Sequence, residues 1–248
     1  MNKTEPKQRT IGGVDESYFL DLLQGCEGYY SCPIVGGKLF GPLVGYAGEY
    51  GSDKKKYVGF KYFNFSMLDQ YPVRLMEFAA AMTQLLDQHA LEPDLIIGAP
   101  WAGVKFSYAV SANLDFCRHI FAEKKGDELI LGRYEGAIRP GDDVIIGEEL
   151  VNNASTTGKL IELVEAAEAR VITIMCAINR SYPFRNTFER PGKDPIPIIS
   201  VVEQSTPQYR QDDPAVAAEV AAGNVVWKPK YDWRKLKASM DSFQKVAD

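Results

Sequence analysis

Between Pro72 and Val202 the chain alternates short, almost wholly apolar runs with longer stretches of helical period, and nothing else in the sequence restricts its fold as tightly. PVRLMEFAAAMTQLLDQHA (72–90) reads as a helix, with Pro72 suited to a first turn where its missing N–H costs nothing and apolar residues returning every three to four positions. DLIIGAP (94–100) reads as a strand entering a loop, and AGVKFSYAVSANL (102–114) as the helix after it. Strands are expected at RHIFAE (118–123), DVIIG (143–147), VITIMCAI (171–178) and IPIISVV (196–202), with a helix over 157–168. Strands that are apolar at every position need cover on both faces, so the alternation predicts an α/β fold with a parallel sheet flanked by helices. Around this core, 15–25 reads as a short amphipathic helix and 28–66, rich in Gly, Tyr and Phe, as short antiparallel strands. The end, DWRKLKASMDSFQKV, reads as a surface helix, which gives a three-part organisation of 1–66, 67–202 and 203–248.

Function is sought where strands end, because open parallel sheets bind ligands beyond the carboxyl ends of their strands. The strand at 143–147 runs into two acids, Glu148 and Glu149. A polar loop follows, Asn152, Asn153, Ala154, Ser155, Thr156 and Thr157, and then the helical pattern KLIELVEAAEA. Backbone N–H groups and hydroxyls at a helix start attract phosphate. Two carboxylates beside them suit ribose hydroxyls or the water shell of Mg²⁺. Asp142 and Asp143 stand at the other end of the strand, after Gly141, where turn chemistry is the better reading. A second loop, Gly98 to Gly103, also joins a strand to a helix, and its Ala99, Pro100, Trp101 and Ala102 are candidates to wrap a pyrophosphate. Val104 follows Gly103, so the GK[ST] of a nucleotide triphosphatase is missing. Arg180, at the carboxyl end of a strand, suits a carboxylate or carbonyl.

Other classes are disfavoured. A net charge of −5 argues against a broad nucleic-acid surface. No run nears the roughly 20 apolar residues of a membrane span, and the polar start MNKTEPKQRT does not read as a signal peptide. Cys26, Cys32, Cys117 and Cys176 lack the spacing of a zinc site and read as free thiols of a cytoplasmic protein. His89 and His119 are the only histidines and read as structural.

These residues carry a resemblance to the type I phosphoribosyltransferases, and within them to the orotate enzymes, over roughly residues 54–181. The family's acid-pair motif, typically E-D-V-I-S-A-G-T-S, lies without gaps over Glu148 to Thr156. IIGAPWAG matches the pyrophosphate loop, and GFKYFNFSM matches an aromatic hood segment with Tyr62 and Phe63 in register. Ile178-Asn179-Arg180 matches an L-D-R whose arginine contacts the base. The family's mobile loop, R-K-E-x-K-D-H-G, falls on Phe121 to Leu129; Lys124 is kept, while Glu123, Asp127 and Leu129 replace cations. Lys125 or Arg133 would have to compensate. The family's loop lysine falls on Ala102, and its usual loop glycine on Ala154.

The resemblance implies a type I core with a small hood made from the N-terminal segment and the C-terminal tail. It implies 5-phosphoribosyl-1-pyrophosphate (PRPP) and a nitrogen base as substrates, Mg²⁺ held through PRPP and waters, and a homodimer. In that frame Glu148, Glu149, Lys124 and Lys125 are catalytic, and Asn152 to Thr156 hold the 5′-phosphate. Ala99 to Ala102 hold pyrophosphate, and Arg180, Tyr62 and Phe63 meet the base. The alternative is a catalytically weak or inactive regulatory binder of PRPP or a nucleotide with the same fold.

Overall fold

The computed structural model describes residues 10–152 and 155–247. The chain forms two compact units, one from Met1–Leu22 with Leu68–Ser205, the other from Leu23–Met67 with Thr206–Asp248.

The first unit is built on a six-stranded sheet. Its strands are β1 (Leu95–Gly98), β2 (Arg118–Phe121), β3 (Asp143–Val151), β4 (Arg170–Asn179), β5 (Thr187–Arg190) and β6 (Lys193–Glu203). They lie in the order β2-β1-β3-β4-β6-β5. All neighbours are parallel except the edge pair β5 and β6. From β1 the chain moves one way to β2, and from β3 the other way to β4. The order therefore reverses between β1 and β3, which makes their carboxyl ends the crevice where such a sheet receives ligands.

Three helices cover the sheet: α1 (Pro72–Gln88), α2 (Ala102–Ser111) and α3 (Ser155–Ala166). Leu160, Ile161 and Val164 of α3 pack on Leu95, Ile97, Val144, Ile146, Ile174 and Cys176, one face of the sheet. Ile96, Gly98, Ile145 and Gly147 alternate onto the opposite face. There α2 comes in close: a Cβ at Gly98 would lie 2.5 Å from Ser107 Oγ, and one at Gly147 2.5 Å from Ser107 Cβ. α1 lies on the same layer as α2 and reaches β4 and β6. Its buried stripe is Leu75, Phe78, Ala79, Met82, Leu85 and Leu86. Side chains of this size contribute roughly 1.5–3 kcal/mol each when fully buried, so the layers hold by ordinary apolar packing.

Several boundaries differ from the sequence reading. β3 continues four residues past the expected Gly147, because Glu148, Leu150 and Val151 stay in register with Cys176, Ile178 and Asn179 of β4. α3 opens at Ser155 instead of 157. α2 stops at Ser111, and Phe116 beyond it has a φ of 59°. Residues 123–125 and 128–130 pair as an antiparallel hairpin. Asp142 does serve a turn: its carboxylate accepts from Arg139 N at 2.7 Å and from Arg118 at 2.6 Å.

The second unit has its own core. Leu43–Tyr50 pairs antiparallel with Lys55–Gly59 and parallel with Val225–Val226, so the tail completes a sheet begun near the N-terminus. Tyr29–Ser31 pairs with Lys61–Phe63. Tyr30, Val44, Tyr46, Val226, Trp233 and Leu236 form the apolar centre, to which the helix Trp233–Ala247 brings the last two. The buried Tyr30 hydroxyl donates to Pro42 O at 2.8 Å. Cys26, Cys32, Cys117 and Cys176 are free thiols. Among the described residues no helix is long and apolar enough to cross a membrane.

Candidate active site

Glu148 and Glu149 stand in the last part of β3, beside the end of β1. Ala99 N donates to Gly147 O at 2.8 Å, so the Gly98–Gly103 loop leaves the sheet directly against the acid pair. Gly103 closes the contact: a Cβ there would lie 2.5 Å from Gly147 O and 3.2 Å from Glu148 Cα. The loop thus depends on a glycine at its exit for its seat on β3. Within it Ala99 and Pro100 are buried and Trp101 is 65% exposed, with a cis peptide between Pro100 and Trp101.

The helix that follows β3 turns back onto the first acid. Thr157, in the first turn of α3, donates from Oγ1 to Glu148 Oε1 at 2.9 Å. Burial pushes Glu148 up to about 7, against the opposing effects of this hydrogen bond and of Lys124. Burial also lifts Glu149 to about 7, with Asp69 and then Glu148 adding like-charge repulsion. Glu149 Oε2 is buried and has no hydrogen-bond partner among the described residues. The pair therefore still carries protons near neutral pH, and a cation or a set of hydroxyls arriving there would both satisfy it and draw off those protons.

Lys124 and Lys125 lie on the 123–130 hairpin. A cavity of about 240 Å³ separates that hairpin from α3, lined by Lys124, Gly126, Asp127, Leu129, Thr156 and Lys159 among others. Lys159 donates to Asp127 O across it. Arg133 pairs with Glu123 at 3.3 Å. Lys124 of this hairpin acts on Glu148 by its charge.

Asn152 is half-buried and lines a cavity of about 70 Å³ with Ser181, Arg185 and Thr187. Ser155 is the first residue of α3. Asn153 and Ala154 lie outside the described residues. Arg180 follows β4, and its N–H donates to Val151 O at 2.9 Å, which sets it beside the end of β3. Tyr62 and Phe63 belong to the second unit, where Phe63 is buried and stacks on Tyr29 with ring centroids 4.9 Å apart. His119 is neutral, pushed down to about 4 by burial, with Nε2 2.9 Å from Ser107 Oγ under the α2 contact. Among the described residues no cluster of three or more His, Cys, Asp or Glu is gathered to ligate a metal directly.

Two residues that the sequence reading passed over stand here. Asp69 is buried and pairs with Lys105 of α2, Nζ to Oδ1 at 3.1 Å. Asp69 lies 80 positions from Glu149 in the sequence, and only the fold brings it near. Lys105 did leave a signal: it is the first cation after the Gly98–Gly103 loop, one helical turn beyond Ala102.

No family model matches the chain. The orotate phosphoribosyltransferase of Deinococcus radiodurans is 32% identical over 115 residues, 45% of this chain and 59% of that protein. That of Bacillus cereus is 23% identical over 170 residues, 68% of this chain and 77% of that protein. In structure, Leishmania donovani UMP synthase superposes with a TM-score of 0.55 at 15% identity, over 91% of this chain and 41% of that one. Orotate phosphoribosyltransferase from Aeropyrum pernix gives 0.51 at 13%, over 75% and 93%. The chain is similar in sequence to orotate phosphoribosyltransferases over part of its length and has the fold of the type I phosphoribosyltransferases. It spans about 60% of the length of the first curated relatives it matches. The acid pair, the Gly98–Gly103 loop and the first turn of α3 meet at the switch point between β1 and β3.

Proposed function

We propose that the protein transfers ribose 5-phosphate from PRPP to a nitrogen base of the orotate type, releasing pyrophosphate. The observation that carries this reading is the acid pair at the switch point, flanked on one side by the Gly98–Gly103 loop and on the other by the start of α3. In the reaction a base nitrogen forms a bond to the anomeric carbon and gives up its proton, while the bond from that carbon to the pyrophosphate oxygen breaks, its electron pair and the proton leaving with pyrophosphate. Positive charge gathers on the sugar in between. The protein's task is positioning and charge stabilisation. Glu148 and Glu149 hold the ribose hydroxyls and, once ionised, lower the energy of the cationic sugar. Asn152 to Thr156 hold the 5′-phosphate at the start of α3. In the Ala99 to Ala102 loop, Trp101 and Ala102 offer backbone N–H groups to pyrophosphate, since Pro100 has none and Ala99 N is held by Gly147 O, and Lys124, with Lys125, meets its charge. Arg180 orients the base.

Mg²⁺ fits this donor set. A buried, unsatisfied carboxylate oxygen on Glu149, in a pair that still carries protons near neutral pH, suits the water shell of Mg²⁺ better than direct ligation. Glu148 and Glu149 would hold that water shell, and the bound ion would supply positive charge to pyrophosphate.

The experiment is a turnover assay with PRPP, Mg²⁺ and a panel of bases. Orotidylate formation from orotate is the expected result, and Glu149→Gln should lower turnover more than PRPP affinity, as for an interaction strongest in the transition state. No product with any base, alongside tight PRPP binding, would favour a second reading, a PRPP-sensing regulator. The observation behind that reading is the hairpin's acidic residues, Glu123, Asp127 and Glu128, where a leaving group needs cations. We place the protein in the cytoplasm and assign it a homodimer in both readings.

A further inference from the structure

We propose that Lys105 is a binding residue for the pyrophosphate end of PRPP, held ready by Asp69 and handed over when the substrate arrives. This rests on the function proposed above and adds a residue to that site.

The loop Gly98 to Gly103 contains no cationic side chain, so its own contribution to a polyanion is backbone N–H groups alone. The next cation is Lys105, in the first turn of α2. That turn cannot drift from the acid pair, because Gly103 packs within Cβ-excluding distance of Gly147 O and Glu148 Cα. The direction of the side chain is fixed by one contact, Asp69 at 3.1 Å. The two partners differ in exposure: the Asp69 side chain is 6% exposed, the Lys105 side chain 59%. An ammonium on a flexible, exposed stem can exchange one anionic partner for another at little cost, whereas a buried carboxylate stays where it is.

Asp69 also acts on Glu149 by like charge, so the carboxylate that holds Lys105 lies close to the acid pair. A pyrophosphate seated on the loop would compete with Asp69 for Lys105, with more charge and more acceptor oxygens. A purely structural role for Lys105, neutralising buried Asp69, makes a different forecast: its loss would weaken every ligand alike or none, and removing the Asp69 charge as well would cancel the effect.

The test is calorimetric titration of the full chain and its variants with three probes in Mg²⁺: PRPP, inorganic pyrophosphate and ribose 5-phosphate. Lys105→Ala should weaken PRPP and pyrophosphate by about tenfold or more, the size expected for one charge-assisted hydrogen bond, and leave ribose 5-phosphate unchanged. Lys105→Arg should recover most of the loss. Asp69→Asn, which frees the ammonium, should tighten pyrophosphate. Wild-type affinity for PRPP in Lys105→Ala, or an equal loss for all three probes, would overturn the inference and leave the proposed function standing. A wild-type protein that binds none of the probes would overturn both.

Discussion

The chemistry of the site is concentrated in the carboxyls of Glu148 and Glu149, both lifted from an ordinary 4.5 to about 7. An acid whose folded-state value is raised opposes folding once it ionises. Its penalty is absent below about 4.5, grows as pH rises from there towards 7, and is constant above that range. Glu149→Gln should therefore melt higher than wild type at pH 8, with the gap closing by pH 4; a constant gap across that range in thermal unfolding would contradict the assignment. The same sign governs ligand binding. Mg²⁺ and PRPP favour the ionised pair, so PRPP affinity in Mg²⁺ should be weaker at pH 6 than at pH 8, and binding at pH 6 should release protons. Calorimetry in two buffers of different ionisation heat reads this directly, and the two acids titrate as a coupled pair in it. Thr157, by donating to Glu148, favours the ionised form.

At the level of elements, the site depends on how closely α2 approaches β1 and β3. Gly98, Gly103 and Gly147 leave room for it, and of these Gly103 meets only main-chain atoms and an alanine methyl, which cannot swing aside. Gly103→Ala should cost about 1–3 kcal/mol, the range for overpacking a filled contact, measured by denaturant unfolding, and should weaken PRPP binding because the loop must lift off the acid pair. Much of this layer was legible in the sequence. Apolar runs such as LIIG and DVIIG announced buried parallel strands, and the acid pair falls in the carboxyl-terminal part of one of them. Less legible was how far β3 runs. Two glutamates after an apolar stretch look like a strand end, yet the ladder to β4 carries the strand on to Val151, tertiary pairing overriding local propensity. The edge strand Thr187–Arg190 is short and mixed in polarity, so period alone could not reveal it. Asp69 was invisible for a plainer reason: nothing local in MLDQYP ties it to a site formed about 80 residues later.

On the scale of the whole molecule, two units with separate cores share one chain that crosses between them at Leu22–Leu23, Met67–Leu68 and Ser205–Thr206. The tail is integral to the second unit, since Val225–Val226 and Trp233 complete its sheet and core. A chain cut after Ser205 should therefore lose the fold of that unit, visible as exposed tyrosines in near-ultraviolet spectra. The account also expects a homodimer, which light scattering at micromolar concentration checks; a monomer there would contradict that part alone. The central claim is that the acid pair at the switch point is a PRPP cradle. Calorimetric titration of the full chain with PRPP in Mg²⁺, beside the Glu148→Gln/Glu149→Gln double variant, tests it most directly. The account predicts saturable binding by the wild type and a loss of about tenfold or more in the double variant, from two charge-assisted contacts to the sugar and its metal. Absence of PRPP binding by the wild type, or equal binding by both proteins, would contradict it.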